Sequence, residues 1–323
     1  MAAIGYTMMG EQRSPKDMVG DVVAAEHAGF DFSVISDHFH PWVEAQGHSP
    51  YTWSVLGAAA QATERIPLMT YVTCPTIRYH PAIVAQKAAT VALLSDGRFI
   101  LGLGAGEQLN EHVVGRAWPP ADVRHELLSE AVDIIHMLWD GGYVTHRGRH
   151  FTVQDAKLFD RPSLPPRIGL AASGRESCEL AGHKADMLIA VQPRPELVRM
   201  FAEAGGRGKP AVAQILVCWG PDEGRCRALA MQQAAWAPLD WKVRSELPSP
   251  VNFESASEFM TEDEVASVIP CGPSAAGIID GVRQYVDAGF DQVAFLQLGE
   301  NQREFCEFYA GELAPTLRDL SVA

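Results

Sequence analysis

Paired cysteines, membrane-length apolar runs and an excess of positive charge are all missing from this 323-residue sequence. The six cysteines (Cys74, Cys178, Cys218, Cys226, Cys271, Cys306) are scattered, with no CxxC pair. That spacing argues against a disulfide frame or a zinc ribbon and for reduced thiols in a cytoplasmic protein. No stretch approaches the ~20 apolar residues that span a bilayer, and residues 1–6 carry neither a basic nor an apolar leader pattern. With 26 Lys and Arg against 40 Asp and Glu, the formal charge is −14, which argues against wrapping a nucleic acid, because such binding needs clustered cations. An acidic chain can still hold one anionic ligand locally, at helix N-termini and a few placed arginines. A GxSxG elbow, an HExxH helix and a P-loop lysine are also absent, so serine hydrolysis and nucleotide-driven phosphoryl transfer lose their usual supports. What is present is ordinary globular composition, 47% hydrophobic and 20% charged, enough for a core without staples. The expectation is a soluble, cytoplasmic protein that acts on a small molecule and binds neither nucleic acid nor membrane.

One unit recurs along the chain: an amphipathic helix, a glycine stop, then a short apolar run. Ala28-Gly29-Phe30-Asp31 precedes Phe32-Ser33-Val34-Ile35, and Ala288-Gly289-Phe290-Asp291 precedes Val293-Ala294-Phe295-Leu296. Gly29 and Gly289 suit the left-handed position that ends a helix, and the runs after them suit buried strands. The same grammar leads into 99–101 and 187–190. Further strands are expected at 4–7, 67–73, 167–171 and 212–219. About eight nearly continuous apolar strands alternating with helices predict a (β/α)8 TIM barrel with insertions, its parallel sheet buried on both faces. An open doubly wound sheet fits less well, because the repeat runs the whole length without a break. The expected organisation is a single barrel domain over 1–323, with a hairpin insertion at about 141–166 and a long loop insertion at about 236–273.

In a barrel the residues just past each strand form the functional face. After strand two stand Asp37, His38, His40 and Trp42. His38 is a candidate proton acceptor, since imidazole titrates near neutrality, with Asp37 to orient it and Trp42 as a flat wall. A metal at His38 and His40 would need a third ligand, and none is indicated. After strand four, Gly102, Gly104 and Gly106 let a ligand approach the backbone, but their spacing is not GxGxxG; a purely structural turn is the alternative. Glu107 follows, and a carboxylate at the mouth of a barrel calls for a polar partner. Polar Thr70 and Thr73 inside strand three, followed by Cys74-Pro75, suggest a bulge that re-aims the backbone. Ser173-Gly174-Arg175 after strand five reads as a phosphate seat, and Arg194 after strand six adds a cation. Glu11 completes the ring, with a surface carboxylate as its default reading.

These stretches, at 36–42, 72–81, 102–111, 236–238 and 302–317, resemble the luciferase-like (β/α)8 superfamily. Within it they resemble the branch that uses the deazaflavin coenzyme F420, near F420-dependent glucose-6-phosphate dehydrogenase. The resemblance implies that His38 takes the proton of a substrate hydroxyl, that Trp42 and Glu107 line the reacting centre, and that Glu11 lies near the substrate. It implies a non-prolyl cis peptide at Tyr71-Val72 beneath the coenzyme ring, with Asp37, Asn110, Cys74 and Gly106 around it. The coenzyme's phosphate side would fall at Ala172, Ser173, Gly174 and Val191. Sugar-phosphate members grip the phosphate with three cations, which map here near Pro193-Arg194, to Arg244 and to Val268, so one cation is lost. The implied activity is an F420-dependent dehydrogenase of an alcohol or sugar hemiacetal. Rival readings are an F420H2-dependent reductase of a carbonyl or activated alkene, an FMN-dependent monooxygenase, and an F420 carrier or sensor without turnover. A homodimer is implied by the family.

Overall fold

The computed structural model describes residues 2–320; residues 1 and 321–323, at the two ends of the expected 1–323 extent, lie outside the described residues. Ten strands follow one another: β1 (Ala3–Met8), β2 (Phe32–Ile35), β3 (Leu68–Thr70), β4 (Phe99–Leu103), β5 (Val144–Arg147), β6 (Thr152–Ala156), β7 (Arg167–Ala171), β8 (Met187–Ala190), β9 (Ala211–Val217) and β10 (Gln292–Gln297). Eight of them close into a parallel barrel in the order β1-β10-β9-β8-β7-β4-β3-β2, while β5 and β6 form a separate antiparallel hairpin. The structure is a (β/α)8 TIM barrel.

The strands close because each is apolar on both faces. Phe32, Val34, Met69, Ile100, Met187, Ile189, Val212 and Ala294 fill the barrel interior, while Ile4, Tyr6, Leu68, Leu101, Ile168, Leu188, Ala213 and Phe295 pack against the surrounding helices. The recurring glycine stop works as its sequence suggests: Gly29 (φ 85°) and Gly289 (φ 96°) adopt the left-handed conformation that L side chains avoid. The aspartate two residues on ties the new strand to its neighbour. Asp31 accepts the Ile4 N–H at 2.8 Å and Asp291 the Ala211 N–H at 3.2 Å, and Asp186 does the same for Ile168 at 2.8 Å. At this same N-terminal end the Arg98 guanidinium donates four bonds, to the carbonyls of Ala60, Thr63 and Ile66 and to the Thr63 hydroxyl, at 2.8–3.0 Å. Fixed polar groups thus hold the closed end of the barrel, and the other end is free to vary.

Three expectations need correcting in detail. The third strand, expected over 67–73, stops at Thr70; Tyr71 and Val72 interrupt it, and Thr73 rejoins through a bridge to Leu103. The seventh ends at Val217, because the backbone of Cys218 forms an isolated β-bridge with that of Cys271 instead, both thiols staying free. The 236–273 stretch, expected as loop, carries the helices Trp241–Arg244, Pro250–Ala256 and Glu262–Val268. Its prolines and polar residues start helices here rather than break them: Pro250 stands in a first turn, Asp240 caps Lys242 N, and Thr261 with Glu264 forms a capping box.

Candidate active site

Glu11 and His38 each stand three residues beyond adjacent strands whose ends, Met8 and Ile35, are register partners. That geometry brings His38 Nδ1 to 2.7 Å from Glu11 Oε1, with side chains only 11% and 4% exposed. Glu11 is therefore buried, not a surface carboxylate. The contact is an ion-pair approach rather than an aligned hydrogen bond, and the Ser36 hydroxyl donates to the same oxygen at 2.7 Å. Burial disfavours charge on both groups, but each partner outweighs it: the His38 pKa is raised and that of Glu11 lowered. The Trp42 ring stands edge-on to His38 (centroids 4.9 Å apart, 77°) and stacks on Trp236 at 4.5 Å, with Phe253 at 5.1 Å. An aromatic wall adjoins the imidazole.

Glu107 begins the short helix Gln108–Glu111 after β4. A hydrogen-bonding partner is expected for it, yet Oε2 is buried with none. Burial instead pushes its pKa up against the pull of His38 and Arg244, so the carboxyl is held toward its neutral form. Arg244 is 8% exposed, its guanidinium 5.4 Å from the Trp236 ring and 5.7 Å from Trp241, with Nε unpartnered. Burial lowers its pKa and Glu107 opposes that fall. The Gln108 N–H donates to the Ser245 carbonyl at 2.9 Å, fastening the inserted helices to the end of β4.

Asp37 does not orient His38; Glu11 does. The Asp37 carboxylate is filled by four donors: Trp53 Nε1 (2.9 Å) and Thr73 Oγ1 (2.8 Å) on Oδ2, and Arg78 and Tyr79 OH (each 3.2 Å) on Oδ1. It joins the loop after β2 to the loop after β3. Arg78 continues the network, its backbone N–H on Glu111 Oε2 at 2.8 Å; burial pushes the Glu111 carboxyl up to about 7. Arg78 and Tyr79 lie in the 72–81 stretch, but nothing in the sequence gave them a role, because their partner Asp37 is some forty residues away.

The Tyr71-Val72 peptide is cis. The Tyr71 hydroxyl donates to the Ala190 carbonyl, and Val72 is half-buried against Gly104, where a Cβ would come 2.6 Å from Val72 Cγ2. A Cβ on Gly106 would likewise meet Cys74 Sγ at 2.7 Å. The buried Cys74 thiol lies 2.9 Å from Thr76 Oγ1. Asn110 Oδ1 accepts the N–H groups of Phe39 (2.8 Å) and His40 (3.2 Å), fixing the turn that follows His38.

On the opposite rim, Ala172 N–H continues the pairing to Ile189 O, and the Ser173 and Gly174 N–H groups donate to Ser177 Oγ at 3.2 Å. Val191 leaves 38% of its surface exposed. Arg175 turns away toward Glu179 at 3.7 Å. Arg194 pairs with Glu196 at 2.7 Å and reaches the Ser173 carbonyl at 3.4 Å; among the described residues it makes no contact with the His38 cluster. Val268 is 48% exposed. Of the three expected cation positions, only Arg244 acts electrostatically on Glu107.

A sequence model of a family described as luciferase-like monooxygenase matches residues 2–292. An F420-dependent glucose-6-phosphate dehydrogenase from Beutenbergia cavernae is 34% identical over 330 residues, covering 98% of each chain. Its counterpart from Intrasporangium calvum is 34% identical over 339 residues, covering 99% of this chain and 100% of the relative. Among solved structures, an F420-dependent secondary alcohol dehydrogenase in complex with an F420-acetone adduct superposes with a TM-score of 0.91 at 29% identity, over 98% of this chain and 99% of that one.

Proposed function

The chain belongs to the luciferase-like monooxygenase family, and on that footing we propose that it is an F420-dependent oxidoreductase acting on the CH–OH group of a small molecule. The observation that carries the reading is the buried Glu11–His38 pair with Trp42 at its edge. The residues present fit a planar coenzyme. Val72 and the exposed face of Val191 offer an apolar bed, and a Cβ on Gly174 would meet nothing within 4 Å, which leaves room for a bulky group. Tyr71, Val72, Cys74, Gly106 and Asn110 would hold it on one rim, with Ala172, Ser173, Gly174 and Val191 on the other; Asp37 shapes the loops between. When bound, a deazaflavin supplies a two-electron hydride acceptor or donor.

The chain's own work is proton handling and exclusion of water. With Nδ1 turned to Glu11, His38 accepts the substrate hydroxyl proton at Nε2, and the Glu11 carboxylate stabilises the imidazolium that forms. Glu107, kept toward its neutral form by burial, donates to the substrate oxygen, and Trp42, Trp236 and Phe253 keep the centre dry. The relatives named for glucose 6-phosphate would need a cationic phosphate grip. Here Arg194 is engaged by Glu196 and the third position is Val268, so we assign an alcohol without a phosphate, close in kind to a secondary alcohol. No helix among the described residues is long and apolar enough to cross a membrane. We extend the proposal to a cytoplasmic homodimer, for which light scattering is the check.

Titrating the protein with F420 and, in parallel, FMN by fluorescence quenching tests the cofactor. Stoichiometric F420 binding is expected, and tighter binding of FMN overturns the assignment. Screening alcohols for a change in coenzyme absorbance then reads turnover. His38→Ala should keep coenzyme binding and lose roughly 10²- to 10⁴-fold in rate; binding without turnover in the unaltered protein would mark a carrier.

A further inference from the structure

Lys87, on the helix Pro81–Leu94, lies outside every residue assigned above. Its ammonium sits 3.2 Å from the centroid of Tyr79, 4.6 Å from Trp53 and 5.6 Å from Tyr51, with one conventional bond, to Tyr51 OH at 3.4 Å. Two of these rings are the ones that grip Asp37: Trp53 through Nε1 at 2.9 Å and Tyr79 through its hydroxyl at 3.2 Å. A cation on a ring face draws electron density toward itself, making the N–H or O–H at the ring's edge a stronger donor. A leucine would fill the same space without the desolvation cost. The charge is what distinguishes lysine here.

We propose that Lys87 is a positioning residue for the coenzyme pocket: seated on Trp53 and Tyr79, its ammonium tightens their hydrogen bonds to Asp37 and thereby holds the loops after β2 and β3 in register. The inference rests on the coenzyme assignment above and adds a residue to it. The charged and titratable groups facing Lys87 are Asp37 after β2, Tyr51 before the helix Thr52–Ala62, and Arg78 and Tyr79 after β3. Burial pushes the Lys87 amine down to about 8, with Asp37 pulling it up and Arg78 pushing it further down. The ammonium is therefore present below pH 8 and lost above it. Coenzyme affinity weakens as the pH rises through that value, and by reciprocity bound coenzyme makes Lys87 hold its proton more tightly.

Two measurements test this. F420 binding is titrated from pH 6.5 to 9.5 for the unaltered protein, Lys87→Arg and Lys87→Met. The unaltered protein should lose about 3- to 10-fold in affinity through pH 8. The arginine variant should stay tight throughout, and the methionine variant should be weak throughout. A methionine variant with the affinity and pH profile of the unaltered protein overturns the proposal. Separately, ¹³Cε labelling of the six lysines follows Lys87 in the protein without coenzyme. Its midpoint should lie near 8 and move to lower pH in Asp37→Asn; a midpoint indifferent to Asp37 overturns the proposal. If the unaltered protein binds no F420, the functional reading fails, and the lysine titration still judges Lys87 by itself.

Discussion

A carboxylate 2.7 Å from an imidazole, with both side chains largely buried, changes what each can do. Alone, a buried histidine sheds its proton; beside Glu11 its pKa is raised, which suits the proposed role of taking a substrate proton and keeping it. The base must be neutral to act. Alcohol oxidation should therefore switch on as the pH rises through a value above the ordinary 6.5 of histidine. Glu11→Gln removes the charge that raises His38, so the acid limb of kcat/KM should move to lower pH while kcat falls roughly tenfold. A pH–rate profile of the two proteins reads both effects, and an unmoved limb would assign the titration to another group. Glu107 works in the opposite sense: with Oε2 buried and unpartnered, burial raises its pKa and favours the form that can donate.

At the scale of elements, the polar ties at the closed end of the barrel separate stability from chemistry. Arg98→Met leaves the carbonyls of Ala60, Thr63 and Ile66 without their donor, which should cost about 3 kcal/mol, since bonds to a charged group contribute about 1.5–3 kcal/mol each and do not simply add. A lower urea midpoint at unchanged slope, with coenzyme affinity intact, is the expected result. The hairpin β5–β6 is docked differently, through Glu130, which accepts from His146 Nε2 and from the N–H groups of His150 and Phe151, each at 3.0 Å. Burial opposes the Glu130 charge, but these bonds hold its pKa below the usual 4.5. Glu130's share of the hairpin's attachment is thus complete above pH 4.5 and lost as the pH falls through the lowered value, leaving Phe151 and Val153 in the core to hold the hairpin. Proteolysis within 144–156 should be faster in acid than at neutral pH, and faster at neutral pH in Glu130→Gln than in the unaltered protein. The barrel was legible in the sequence because the apolar runs and glycine stops are local signals. That His38, Trp42 and Glu107 stand at one end of the barrel was legible because they follow strands β2 and β4 in the chain. The pairing of Glu11 with His38, the saturation of Asp37 and the helices within 236–273 were not, since each depends on partners brought together only by closure of the barrel or on caps that outrank a proline-rich composition.

Across the whole molecule, labour is divided by chain segment. The pair proposed to handle the proton, Glu11 and His38, comes from the loops after the first two strands, whereas Trp236, Arg244 and Phe253 come from the segment between β9 and β10. Replacing 219–270 by the matching segment of a glucose-6-phosphate relative should raise activity on that sugar phosphate relative to simple alcohols, with F420 affinity within about threefold of the parent. Steady-state kinetics on both substrates would show it, and a chimera that loses coenzyme binding would place the segment in the coenzyme pocket instead. The backbone β-bridge between Cys218 and Cys271 makes such an exchange geometrically simple. Because the excursion leaves and re-enters at two positions standing side by side, it has the form of a handle whose feet share one footing. Evolution or an engineer can recast the handle for a new guest without disturbing the vessel to which it is joined.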